Sequence, residues 1–343
     1  MASTAAVVAS ALCMLAAPVS AGAVLEVVFE EIVPLDSQCT ASLLPDSLEQ
    51  AGDGGLTIHA SCPPTAAADA YDGGLRIEVL PDGRTRAVAA DRGPADSPGV
   101  AALGRGPEQW LVKTDSAGDT LWRCRLEDTG EFDNAIATVR LSDHGYLVVS
   151  RPDCWSTATY LARVGPRGEL LWSGSLTANY LLDMPDGEGE ICPRIASVRQ
   201  TRAGDLLVCG SVSEWVTSPK AMFAALLDGG SGEAAWKAID YGDGMAGARD
   251  IVETASGGIV AVGATAPAVY PDEGPRFARW GEDPRPYAAL IGPEGNLRES
   301  RAFASSAADV FTGVLESPIA GELIIIGDAG EGPAGLLVVR ALL

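Results

Sequence analysis

Apolar and polar positions along this chain alternate in short runs that reverse at glycine. The clearest run is Trp110 to Leu126, WLVKTDSAGDTLWRCRL. An apolar stretch meets a polar turn at Asp115-Ser116-Ala117-Gly118, and a second stretch follows through Trp122. Short alternating runs bounded by Gly and Asp predict a β-hairpin. The pattern recurs. Leu75 to Leu126 contains LRIEVLPDGRTRAVAA and then the run above. Ala135 to Leu176, Arg194 to Asp240 and Ala248 to Phe303 repeat the grammar, and a fifth unit begins at Val310. The glycines Gly83, Gly145, Gly204, Gly257 and Gly321 fall 62, 59, 53 and 64 residues apart by subtraction. Each unit predicts four strands, A to D. Tight turns join A to B and C to D, where glycine tolerates positive φ. Looser connections join B to C and D to the next A.

Repeated four-stranded units of this size predict an all-β fold, a single β-propeller over residues 24–343. The last unit ends after strand C, whereas Leu25 to Val33, LEVVFEEIV, is a strand without a partner nearby. The N-terminal strand is therefore expected to complete the last blade and remove an exposed edge. Gln38 to Ala70 reads as a degenerate unit in which only a strand B, Gly54 to Ala60, is legible. Six blades are expected, with five to seven compatible with the pattern. Trp122, Trp172 and Trp236 recur on strand D, which predicts packing plugs between units rather than ligand sites.

Asp228-Gly-Gly-Ser-Gly232-Glu-Ala-Ala-Trp236 resembles the D-x-x-x-G-x-x-x-W signature of pyrroloquinoline-quinone-type propeller repeats. The Trp110 to Leu126 run is similar to the related repeat of secreted bacterial propellers whose function is not defined. The resemblance covers most of Leu75 to Leu343 and implies the fold. The fourth unit departs from it, with Arg298 read at the Trp position. An adjacent cysteine pair and an assembled calcium or quinone site are lacking, so the resemblance implies no cofactor.

Strand order puts the A–B and C–D turns on one face and the B–C and D–A connections on the other. The second set is long: Thr177 to Pro193, Ser211 to Lys220 and Ala264 to Pro286. Long loops on a rigid scaffold commonly carry function. They hold aromatics outside the strand pattern, and Trp155, Tyr180, Trp215, Tyr270 and Trp280 are the candidate ligand-binding residues. Asp183, Asp186, Glu188 and Glu190 crowd one loop and form a candidate calcium cluster. Catalytic chemistry finds little support, since the two histidines, His59 and His144, have no nucleophile motif beside them. His144 reads as a turn residue with strained φ.

Residues 1–23 carry an uncharged apolar run, Ala5 to Ala17, and then Ala21-Gly22-Ala23, the form of a signal peptide with an A-x-A cleavage site. Export would place the chain in a secreted or periplasmic setting; the alternative is that the apolar run is kept as an N-terminal membrane anchor, for which it is short. Six cysteines follow the signal, and the pairs Cys39–Cys62 and Cys154–Cys192 are expected as disulfides because both members share the long-loop face. Cys124 and Cys209 lie within strands. A formal net charge of −22 argues against nucleic acid or anionic membrane as a partner. The expected function is non-enzymatic binding of a protein or glycan by a monomer. The alternatives are a polysaccharide hydrolase or lyase using loop carboxylates, and a structural part of a cell-envelope assembly.

Overall fold

The computed structural model describes residues 26–34, 44–50, 56–61, 74–79, 85–89, 100–103, 109–115, 118–126, 135–150, 158–183, 193–213, 220–269, 279–280, 283–303, 309–317, 321–328 and 335–342. Between residues 26 and 109 it describes the backbone alone. The described chain is almost entirely antiparallel β-sheet. β1 (Glu26–Pro34) comes first in sequence and is used last. β2 (Leu44–Gln50), β3 (Leu56–Ser61), β4 (Gly74–Val79) and β5 (Thr85–Ala89) form the first sheet. β6 (Val100–Leu103), β7 (Gln109–Thr114) and β8 (Thr120–Leu126) form a second, three-stranded sheet. The third holds β9 (Ala135–Arg140), β10 (Tyr146–Ser150), β11 (Ala158–Val164) and β12 (Leu170–Thr177). A short helix, α1 (Ala178–Leu182), leads to the fourth: β13 (Arg194–Gln200), β14 (Leu206–Ser213), β15 (Lys220–Leu227) and β16 (Ala234–Asp240). The fifth begins with β17 (Met245–Glu253) and β18 (Ile259–Ala266). After a small hairpin, β19 (Ala268–Val269) and β20 (Arg279–Trp280), it resumes with β21 (Arg285–Ile291) and β22 (Leu297–Ala302). The sixth holds β23 (Val310–Glu316), β24 (Glu322–Asp328) and β25 (Gly335–Leu342), and its fourth strand is β1, paired antiparallel with β25 from Glu26 opposite Leu342 to Pro34 opposite Gly335.

Two sequence expectations are corrected. Leu75 to Leu126 is not one unit. LRIEV and TRAVA are the third and fourth strands of the first sheet, so Gly83 falls between strands C and D, and the degenerate unit at Gln38 to Ala70 finds its missing strands there. Arg298 is not at the Trp position. It is the extra residue of a bulge, with Leu290 opposite Glu299 and Ile291 opposite Leu297. Glu299 therefore stands where Trp122, Trp172 and Trp236 stand in β8, β12 and β16, each opposite the penultimate residue of its partner strand. β1 has the same bulge, which puts Phe29 at the Trp position opposite Arg340.

The second strands of the fourth and fifth units open on four consecutive apolar residues because they are covered on both faces. In β14, Leu206 and Val208 face the third sheet while Leu207 and Cys209 face the fifth. In β18, Ile259 and Ala261 face the fourth sheet while Val260 and Val262 face the sixth. Outer strands such as β8, β12 and β22 keep an exposed face and mixed residues. Full burial of each large aliphatic side chain contributes about 1.5–3 kcal/mol.

Three further devices join sheet to sheet. The first is a plug. Trp122, Trp172 and Trp236 lie beneath Gly168, Gly232 and Gly295, turn glycines of the following sheet with φ of 87°, 75° and 83°. A Cβ on these glycines would come within 2.8, 2.7 and 2.6 Å of the ring below. Trp172 Nε1 also donates to Gly229 O at 3.0 Å. Trp172→Ala is expected to cost about 2 kcal/mol, less than a fully buried Trp because the ring is only partly buried, whereas Trp172→Phe keeps most of the plug. Thermal denaturation of the two variants distinguishes a plug from a surface ring, for which both would be near-neutral.

The second device is a clasp on the short-turn face. The last residue of strand A accepts a backbone N–H from the A–B turn of the preceding sheet. Ser142 N–H donates to Gln200 Oε1 at 2.7 Å, Arg202 N–H to Glu253 Oε2 at 2.8 Å, and Ala255 N–H to Glu316. The third device is Asp250 on β17, only 1% exposed. Its carboxylate accepts from Ser197 Oγ at 2.7 Å, from Arg199 Nε at 3.1 Å and Nη2 at 2.8 Å, and from Val314 N–H at 3.0 Å. These partners lie on β13 and β23, so one side chain ties the first strands of the fourth, fifth and sixth sheets.

Candidate binding face

The clasps put the A–B turns of the third to sixth sheets on one face. The B–C and D–A connections therefore leave the opposite face, where the sequence places its candidate aromatics. Trp155, Trp215 and Tyr270 lie outside the described residues. Trp280 is in β20, opposite Ala268, and only its backbone is described.

Tyr180 is placed in detail. Thr177 caps α1, its hydroxyl accepting Tyr180 N–H at 3.1 Å, as an N-cap threonine should. Leu181, fully buried, anchors the helix in the core shared by the third and fourth sheets. Tyr180 is left 40% exposed. Lys237 of β16 sets its ammonium 4.6 Å from the ring centroid, donates to the Tyr180 carbonyl and pairs with Asp183 Oδ1 at 2.6 Å. Burial raises the Tyr180 phenol pKa, and Asp183 adds to it. One face of this ring is thus backed by a cation.

Asp183 turns out to have a structural task. It ends α1 with φ of 56°, and its N–H donates to Asn179 O. Asp186, Glu188 and Glu190, the other members of the expected calcium cluster, lie outside the described residues. Among the described residues, no group of three or more His, Cys, Asp or Glu could hold a metal ion.

The short connection after β16 adds groups that the sequence reading passed over. Tyr241 is 46% exposed at its tip. Asp240 accepts from the buried Tyr287 hydroxyl, and burial, then this hydrogen bond, pushes that phenol well above its ordinary pKa. Asp243 pairs with Arg285 at 2.5 Å, and its N–H donates to Thr265 Oγ1 at 2.9 Å. Gly244 abuts Ala268, so the connection is pinned against the β19–β20 hairpin. Tyr241-Gly242-Asp243-Gly244 is a visible turn signal, but it is too short to stand out among the long loops.

Of the histidines and cysteines, the structure places the side chains of His144, Cys124 and Cys209. His144 has φ of 66°, the strained turn conformation expected of it, and its Nδ1 lies 3.3 Å from Arg140 Nη2. Cys124 and Cys209 are free and buried on different sheets, and burial raises both thiol pKa values. Cys39, Cys62, Cys154 and Cys192 lie outside the described residues. Among the described residues, no helix is long and apolar enough to cross a membrane.

No protein-family model matches the chain, and no curated protein matches it. Among solved structures, a luciferin-regenerating enzyme is similar at 8% identity and a TM-score of 0.40, over 94% of this chain and 96% of that one. A member of the DUF4221 family from Bacteroides vulgatus is similar at 8% identity and 0.42, over 92% and 97%. A eukaryotic initiation factor is similar at 10% identity and 0.31, over 86% and 75%. At these scores neither activity nor ligand transfers to this chain.

Proposed function

We propose that this chain is an exported, monomeric β-propeller of six blades that binds a protein or glycan through its long-connection face without catalysing a reaction. Six sheets stacked in chain order support the ring, as does contact of the sixth with the first, β23 beside β2 and β1 beside β5. The observation that carries the function is the contrast between faces. One is made of tight turns clasped to one another. The other bears α1, the β19–β20 hairpin and the exposed rings of Tyr180 and Tyr241. Trp155, Trp215, Tyr270 and Trp280 belong to the same connections and complete the proposed contact set. Exposed aromatics suit both sugar stacking and protein hot spots.

The test is a thermal-shift screen of residues 24–343 against a glycan panel, with calcium and with chelator. A rise in Tm lost in a Trp215→Ala, Trp280→Ala variant supports the reading. A rise that survives this change, and also Tyr180→Ala, Tyr241→Ala, contradicts it. A rise with calcium alone assigns the Asp183 to Glu190 loop to structural metal binding.

Export and the two disulfides stand or fall on thiol chemistry. The denatured, unreduced chain purified from an oxidising compartment is expected to show two reactive thiols, Cys124 and Cys209. Six would remove the disulfide proposal. Neither buried thiol should react before unfolding.

A further inference from the structure

The first strands of the fourth, fifth and sixth sheets lie side by side and are joined at Asp250. Each carries a one-residue bulge at the same register. The extra residue is Ala196 in β13, Arg249 in β17 and Thr312 in β23. The hydrogen bond from Ser197 Oγ to Asp250 Oδ1 joins the residues that follow two of these bulges, which sets β13 and β17 level with one another. Arg249 therefore stands level with Ala196, and Arg194, at the start of β13, stands level with Gly247. Nothing larger than a methyl group occupies the two opposing positions. A bulge residue is left out of the ladder, and its side chain is re-aimed. Arg249 is exposed between the buried Ala248 and Asp250. Arg194 is exposed as well, two residues nearer the long-connection face.

Arg163, Arg199, Arg202 and Arg285 each meet a carboxylate. Arg194 and Arg249 meet none among the described residues, in a chain whose acidic residues outnumber the basic ones 46 to 24. Asp250, next to Arg249, is already filled by its four donors. A planar guanidinium presents a fork of donors that matches a carboxylate or a phosphate. We propose that Arg194 and Arg249 hold the carboxylate or phosphate group of an anionic glycan, so that the long-connection face selects acidic over neutral sugars. The inference rests on the proposed ring, which sets the first strands around its axis, and on the glycan form of the binding reading. Tyr241, exposed on the connection into β17, offers the same ligand a ring to stack on. A single oxyanion beside flat rings fits an acidic sugar better than an acidic peptide, whose successive charges Asp183 and Asp243 would repel.

Isothermal titration of residues 24–343 at matched ionic strength tests this. The probes are a glucuronate-terminated trisaccharide, its neutral methyl ester, inorganic phosphate and tri-glutamate. The acid is expected to bind at least about ten-fold tighter than the ester, the usual worth of a hydrogen bond to a charged group. The Arg194→Ala, Arg249→Ala variant should abolish that preference and the binding of phosphate. Arg298→Ala, which removes an exposed arginine of the outer strand β22, should change neither. Arg249→Lys keeps the charge without the fork and should retain only part of the preference. Equal affinity for acid and ester would overturn the inference and leave the glycan reading intact. Phosphate bound through the two arginines, with neither sugar bound, would uphold the arginine site and contradict the glycan reading. Tri-glutamate binding tighter than the acid sugar would overturn the choice of ligand. A preference that survives the double variant, or no binding of any probe, would overturn the proposal outright.

Discussion

Replacing Asp250 with Ala is expected to lower the stability of the folded chain by about 3–5 kcal/mol, the usual cost of breaking a buried ion pair. Each oxygen of this carboxylate accepts two hydrogen bonds, and their donors lie on two other sheets. Removal strands the Val314 N–H, which is fully buried and cannot reach water, and takes from the part-buried Ser197 hydroxyl its acceptor. Arg199 is 29% exposed and can turn its charge outward. Arg199→Met should therefore be worse, because it leaves a buried carboxylate without a counter-ion. The double variant should lose less than the sum of the two, since each single change strands a partner that the double change removes. Urea denaturation of all four proteins completes the cycle. A loss under about 1 kcal/mol for Asp250→Ala would mean that the bridge contributes no more than a surface pair.

Gly263→Val is expected to cost about 3 kcal/mol, the upper end of the range for overpacking. In β18, Gly263 sits opposite Ala248, next to the extra residue Arg249 that bulges β17. The bulge drives the Gly247 carbonyl toward Gly263, and a Cβ there would overlap that oxygen. Gly210 faces the Arg194 carbonyl in the same way. The register repeats in five sheets, where the position opposite the bulge holds Ala60, Ser150, Gly210, Gly263 and Gly327, never anything larger. Gly257→Ala is the contrast. Its φ is 80° with open space around it, so the cost is backbone strain alone, about 1 kcal/mol. Chemical denaturation that ranks Gly257→Ala at or above Gly263→Val would contradict the packing account.

Much of this architecture was legible. Strand grammar, the plug tryptophans and the pairing of the N-terminal strand with the last unit all follow from apolar periodicity and turn glycines. The first sheet was misread because A–B and C–D hairpins share the same turn chemistry. What separates them is the strand after the turn. YLVV and LLVC are apolar throughout and lie between two sheets, while TRAVA alternates like the outer strands, which should have marked it as a strand D. Asp250 could not be read, since its partners lie 51 to 64 residues away and a lone acid in RDIVE resembles a surface position. Phe29 was hidden by its bulge, which moves the plug register by one residue. The proposed binding face was legible only as loop length and aromatic content, because long connections impose no period from which side-chain direction follows.

The central claim is that one face is structural and the other binds. Its most direct test is a hydrogen-exchange footprint of residues 24–343 with the glycan that most raises Tm. Protection is expected at residues 178–183, 240–244 and the β19–β20 hairpin, with the turns at 142–145, 202–205, 255–258 and 292–295 unchanged. Protection at those turns, with none at Tyr180 or Tyr241, would contradict the account.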